Sequence, residues 1–239
     1  YTAQLMDDRS ITLTLPDDMG TLTFAGHGGS SALSAIDDKM PAAYEEPWAV
    51  VTGASTAVIN GDAEEDMFTY SYSHDSGLSF TAAYHNAEAG QSVESYNDFA
   101  VAYTGVEGLT VGIAQDDNGL SGTSKLETET MYAKYAFGSF TVGVQESEQD
   151  QEGATTSDDD FSAIGITYQV SDDLTIGYHA SEREFGDKSQ DQESKNLSAA
   201  YTTGGVTVSV AYVSMDNVGG STAARDDIDG FEIDVSFAF

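Results

Sequence analysis

Residues 197–212 read Leu197-Ser198-Ala199-Ala200-Tyr201-Thr202-Thr203-Gly204-Gly205-Val206-Thr207-Val208-Ser209-Val210-Ala211-Tyr212. Leu197, Ala199 and Tyr201 alternate with Ser198, Ala200 and Thr202; beyond the two glycines, Val206, Val208, Val210 and Tyr212 alternate with Thr207, Ser209 and Ala211. A period of two places successive side chains on opposite faces of an extended chain. A Gly-Gly pair between two such runs marks a hairpin, because the favoured two-residue turn needs positive φ at both central residues. The stretch predicts two antiparallel strands, apolar on one face and carrying small, mostly polar residues on the other.

The pattern extends in both directions. Toward the C-terminus, Phe231, Ile233, Val235, Phe237 and Phe239 alternate with Glu232, Asp234 and Ser236. Toward the N-terminus it recurs at Leu174, Ile176, Tyr178; Ile164, Ile166, Tyr168, Val170; Phe140, Val142, Val144; and Met131, Ala133, Tyr135, Phe137. Further back come Leu109, Val111, Ile113; Phe99, Val101, Tyr103; Leu78, Phe80, Ala82, Tyr84; Phe68, Tyr70, Tyr72; Leu22, Phe24; and Ile11, Leu13, Leu15. Connections alternate in length. Short turns occur at 16–20, 74–77, 105–108, 138–139, 171–173 and 204–205, and long acidic segments at about 26–66, 85–96, 116–128, 146–159, 181–195 and 215–230. A soluble β-sandwich also alternates, but it has no reason to sort its loops by rim. Short turns on one rim and long loops on the other suit a wall between lipid and water. The expected fold class is all-β, a transmembrane antiparallel β-barrel, read as a single domain over 1–239.

Composition narrows the function. With 8 Lys and Arg against 41 Asp and Glu, the formal net charge is -33, and such a surface repels phosphate backbones, so no nucleic-acid partner is expected. There is no Cys, hence no thiolate metal site or disulfide framework. No apolar run approaches the roughly 20 residues of a membrane helix. Gly26-His27-Gly28-Gly29-Ser30 lacks the spacing and lysine of a phosphate loop. The four His, at 27, 74, 85 and 179, form no zinc motif, and no nucleophile elbow is present. The chain does not read as an enzyme.

The terminal Ser236-Phe237-Ala238-Phe239, the hairpin Ser10 to Gly26 and the long segment after it resemble the general diffusion porins of alphaproteobacteria, trimeric barrels of the 16-stranded porin type. The resemblance covers the whole chain. It implies a homotrimer in the outer membrane of a Gram-negative bacterium, in contact with lipid and lipopolysaccharide. It also implies recognition of the C-terminal strand by the barrel-insertion machinery, and a third extracellular loop, here about 27–66, folded inward to narrow the pore. About 13 strands are identifiable, two before that loop and eleven after. Members of the family have five before it, so the resemblance implies that the first three strands are missing here.

A porin performs no bond chemistry, so the residues of interest set the width and field of the constriction. Asp37, Asp38, Lys39, Glu45 and Glu46 are the expected constriction residues. On the wall, Lys134 lies between outward Ala133 and Tyr135, and His179 and His85 follow outward Tyr178 and Tyr84; all three should face the lumen. Arg9, at a strand mouth, and Arg183, at a loop foot, complete the candidate basic wall. No cofactor is required. Ca²⁺ is possible at Asp116-Asp117 or Asp158-Asp159-Asp160, since it takes several carboxylate oxygens. The expected function is passive diffusion of small hydrophilic solutes and ions, with a preference for cations. The alternatives are a soluble, salt-adapted β-sandwich that binds a ligand and a substrate-selective outer-membrane channel.

Overall fold

The computed structural model describes residues 9–36, 39–50, 66–86, 94–120, 125–152, 158–221 and 227–238. Among them lie thirteen strands: β1 (Ser10–Thr14), β2 (Thr21–Ala25), β3 (Met67–Ser73), β4 (Leu78–His85), β5 (Tyr96–Val106), β6 (Leu109–Asp117), β7 (Leu126–Phe137), β8 (Phe140–Gln151), β9 (Asp159–Ser171), β10 (Leu174–Phe185), β11 (Gln192–Thr203), β12 (Val206–Asp216) and β13 (Ile228–Phe237). They are hydrogen-bonded in chain order within one sheet. The chain falls into two compact units, residues 1–38, 59–131 and 149–155 in the first and 39–58, 132–148 and 156–239 in the second. As expected, two strands precede the long loop and eleven follow it.

The hairpin at 204–205 shows how local chemistry sets register. Gly204 and Gly205 adopt φ of 57° and 82°, the left-handed pair whose twist matches that of the flanking strands. Thr203 therefore faces Val206, and the register carries Tyr201 to Val208, Ala199 to Val210 and Leu197 to Tyr212. A slip of one residue would turn every apolar side chain to the other face. Across the next ladder Val210 meets Ile233 and Val208 meets Val235, so the apolar set remains on one side.

That side is exposed. Leu197 is 61% and Ile233 59% accessible, whereas a sandwich would bury such a face against a second sheet. Apolar patches of this extent do not normally face water, but they match a hydrocarbon phase. At the short-turn end of the second unit, Tyr135, Phe137, Phe140 and Tyr168 form a stacked row with centroid spacings of 5.7, 5.7 and 4.5 Å. Aromatic residues at this level are the girdle of a membrane barrel.

The strands are longer than the alternation of apolar residues suggests. Segments expected to be loops at 146–159 and 181–195 are ladder for much of their length: β8 continues to Gln151, β10 to Phe185, and β11 starts at Gln192. The exposed face of β8 runs Phe140, Val142, Val144 and then Glu146, Glu148, Asp150, and that of β10 runs Leu174, Ile176, Tyr178, Ala180 and then Glu182, Glu184. Above the apolar band the outer face meets water, so its residues turn acidic while the backbone stays paired. Like charges then face one another across the ladder, with Glu182 opposite Glu193, Glu193 opposite Asp216, and Glu184 opposite Asp160. Partial burial, together with Glu184, Asp191 and Glu193, raises the pKa of Glu182 above the usual carboxylate value.

The two zones should respond differently to charge. Val210→Arg, in the middle of the apolar band, should destabilise the protein by about 2–4 kcal/mol in lipid. Asp150→Lys, beyond the band, should stay within about 0.5 kcal/mol. Urea unfolding in vesicles, followed by tryptophan fluorescence and gel mobility, measures both.

Candidate functional site

The long loop after β2 carries little regular structure, and its two described parts belong to different units. In the first unit, Ser30 to Ile36 folds back over β3–β6. Leu33–Ala35 forms one turn of 3₁₀ helix with Ala32 as N-cap; just before it, Ser31 Oγ accepts from Ser34 N–H at 3.2 Å while Ser34 Oγ donates to the Ser31 carbonyl at 2.7 Å. Ala32, Leu33 and Ile36 are buried, so this turn covers the sheet with an apolar underside. Thr69 Oγ1 donates to the Ser30 carbonyl at 3.2 Å. A Cβ at Gly29 would come within 2.6 Å of Met67 Cε, so backbone lies directly on the wall here. Asp98 of β5, fully buried, accepts the Ala32 N–H through Oδ2.

In the second unit, 39–50 lies on the face of the sheet opposite the exposed apolar one. Pro41 and Ala43 rest on a floor of glycines from three adjacent strands. A Cβ at Gly143 of β8 would sit 2.6 Å from Pro41 Cδ, one at Gly165 of β9 2.7 Å from the Pro41 carbonyl oxygen, and one at Gly177 of β10 2.8 Å from Ala43 N. Strand-interior glycine weakens a ladder and marks the close approach of another backbone, which is what the loop makes here. The segment is pinned further along. Asn196 Nδ2 of β11 donates to the Glu45 carbonyl, and Tyr44 O–H donates to Glu232 Oε1 of β13 at 3.1 Å. Pro47–Val50 then forms α1, with Val50 packed on buried Val213 and Met215 of β12.

Tyr44 reports the local field. Desolvation, the hydrogen bond to Glu232, and the charges of Glu232, Asp234 and Glu45 push its pKa up to about 12. The neutral phenol is the favoured form in the fold. Its contribution is complete below the ordinary tyrosine value and is lost only as pH rises through about 12, so the donor is present at any physiological pH.

Of the expected constriction residues, Asp37 and Asp38 lie outside the described residues. Lys39 is half-buried, Glu45 exposed and Glu46 half-buried in the second unit. Lys134 is half-buried on the loop-bearing face of β7, and His85 and His179 are buried on that face of β4 and β10. Arg9 is exposed and pairs with Asp66 at 3.3 Å. Arg183 pairs with Asp159 at 2.6 Å and lies 4.7 Å from the centroid of the Phe185 ring.

The acid pairs considered for calcium are dispersed by the pleat. Asp159 and Asp160 point to opposite faces, and Asp159 is engaged by Arg183. Asp116 is buried while Asp117 meets Lys125 at 3.3 Å. Lys125 is held above its ordinary pKa by hydrogen bonds to Glu127 and Asp117. Among the described residues no three His, Cys, Asp or Glu side chains are grouped to hold a metal ion.

Asp98, Asn196, Glu232 and the glycine floor were not singled out from sequence. The glycines carried a readable signal, since Val142-Gly143-Val144, Ile164-Gly165-Ile166 and Ile176-Gly177-Tyr178 each put glycine at an inward position of an otherwise regular strand.

The Gram-negative porin family pattern matches residues 2–219. No curated protein matches the chain in sequence. Solved structures share its fold at low identity. In-vitro folded OmpT, an outer membrane protein of Vibrio cholerae, is 17% identical with a TM-score of 0.66, over 97% of this chain and 79% of that one. The anion-selective porin from Comamonas acidovorans is 14% identical at 0.69, over 97% and 78%. Salmonella typhi OmpF, in complex with daunomycin, is 14% identical at 0.68, over 92% and 74%. The fold is the antiparallel β-barrel of outer-membrane porins, its exposed apolar face turned to lipid and its loop-bearing face to the lumen. The chain belongs to the Gram-negative porin family.

Proposed function

We propose that this porin is a general diffusion pore for small hydrophilic solutes and ions, that its infolded loop sets the aperture, and that it prefers cations. The observation that carries the reading is the seating of the loop on the polar face of the wall, backbone against glycine, while the opposite face is apolar and exposed. A lumen lined with Thr, Ser, Asn and Gln passes hydrated solutes without bond chemistry.

The charge preference rests on the acids near Tyr44. Glu45 of the loop and Glu232 and Asp234 of β13 act together on one phenol, while on the basic side Arg183 is already paired with Asp159. Fixed negative charge at a narrow, partly desolvated passage raises the local concentration of cations. The anion selectivity of the Comamonas porin is therefore not carried over. Vibrio cholerae OmpT occurs in a trimer form, which supports a homotrimer here. The remaining partners of the reading are outer-membrane lipid and lipopolysaccharide around the apolar band, and the barrel-insertion machinery acting on β13.

In planar bilayers across a salt gradient, the reversal potential should have the sign of cation preference; the opposite sign would overturn this part of the reading. Glu232→Gln combined with Asp234→Asn should shift that potential toward zero, with little change in the amount of folded protein. Gly165→Val would put side-chain carbons where the Pro41 carbonyl now lies. It should lift the loop and change single-channel conductance while leaving the heat-modifiable barrel intact.

A further inference from the structure

In the first unit a buried carboxyl on the wall takes a backbone N–H of the loop, and a buried imidazole lies beside that carboxyl. His85 closes β4 and is opposed across the ladders by Met67 on one side and Tyr96 on the other. Its ring stacks on that of Tyr96 at 4.0 Å with 7° between planes. One inward level further along, Ala83 faces Asp98; the small side chain leaves room for the loop above. Asp98 is 0% and His85 2% exposed. Asp98 Oδ2 takes the Ala32 N–H, and Oδ1 faces His85 Nε2 at 3.6 Å, beyond hydrogen-bond length. Neither ring nitrogen of His85, nor Asp98 Oδ1, has a hydrogen-bond partner among the described residues.

A carboxylate buried this deeply is costly unless charge and hydrogen bonds offset it. Two groups face this one: the backbone N–H of the loop at Oδ2 and the imidazole edge of His85 at Oδ1. Removing the loop would take away the only hydrogen bond to Asp98 among the described residues. Breaking one side of a buried pair costs more than removing both sides.

We propose that Asp98 is the positioning residue that holds the Ala32 turn of the infolded loop against the wall, and that His85 acts through it as counter-charge. The pair thereby sets how far this part of the loop projects into the lumen. The inference rests on the chain being a pore only for its consequence, the aperture; the attachment itself is independent of transport.

The chain has no cysteine, so a nitroxide attached at Ala35→Cys, an exposed position in the turn, reports the loop alone. In the reconstituted protein carrying this label, the parent should give an immobilised spectrum. Asp98→Ala should lose it and shift the single-channel conductance. Asp98→Asn, which keeps an oxygen for the Ala32 N–H, should retain more of the immobilised spectrum than Asp98→Ala. His85→Gln should mobilise the label, and adding Asp98→Asn to it should restore the immobilised spectrum. That restoration distinguishes charge pairing from simple packing, because a packing defect at 85 would persist in the double variant.

The proposal is overturned if Asp98→Ala leaves the spectrum unchanged, or if the double variant is as mobile as His85→Gln alone. Heat-modifiable gel mobility identifies folded protein. Where Asp98→Ala does not fold, the comparison of His85→Gln with the double variant decides. A parent that forms no channels while showing the expected label spectra would sink the pore reading and leave the clasp standing.

Discussion

Every backbone N–H and C=O that lies in hydrocarbon must find its partner within the protein, because no water is there to take its place. Strands satisfy this by pairing with neighbours. Once the pairing is complete, each strand has two faces in two different media, and the side chains on each are free to match their own. The apolar set from Phe140 to Val144 or from Phe231 to Phe237 follows from the lipid side. Thr, Ser, Asn, His and Gly on the other face follow from the lumen side. The alternation is the visible trace of that division.

The same constraint bears on a loop laid against the wall. Its backbone groups are not paired in a ladder, so they must be met one at a time by side chains of the wall or by water. Asp98, Thr69 and Asn196 each do this for one peptide group, at Ala32, Ser30 and Glu45. Where the wall offers glycine in place of a side chain, at 143, 165 and 177, the loop descends to van der Waals contact. Polar wall positions therefore set where the loop is held, and glycine positions set how deep it lies.

Much of this was legible in the sequence. Period-two alternation located the thirteen strands among the described residues, the Gly-Gly and Asp-rich turns marked the short rim, and two of those strands precede the loop and eleven follow it, as expected. Strand ends were less legible. β8 and β10 run on past Glu146 and Ser181, because the apolar signal stops where the membrane stops, whereas ladder bonding does not depend on it. His85, His179 and Lys134 fall on the loop-bearing face by parity alone. Their partners do not follow from parity, since the contact between Asp98 and Ala32 joins residues 66 positions apart, and no local pattern encodes such a distance. Glycine inside a strand was the exception: it was a long-range contact that left a local mark.

Above the apolar band the ladder holds together side chains that push apart. Rows such as Glu182, Glu193 and Asp216 make the outer rim a folded polyelectrolyte, ordered by its backbone and opposed by its own charge. Mobile ions of the medium gather around such a surface and screen it over about 8 Å at physiological ionic strength. The rim therefore carries an ionic atmosphere of its own, and its stiffness is a joint property of the chain and the salt in which it stands.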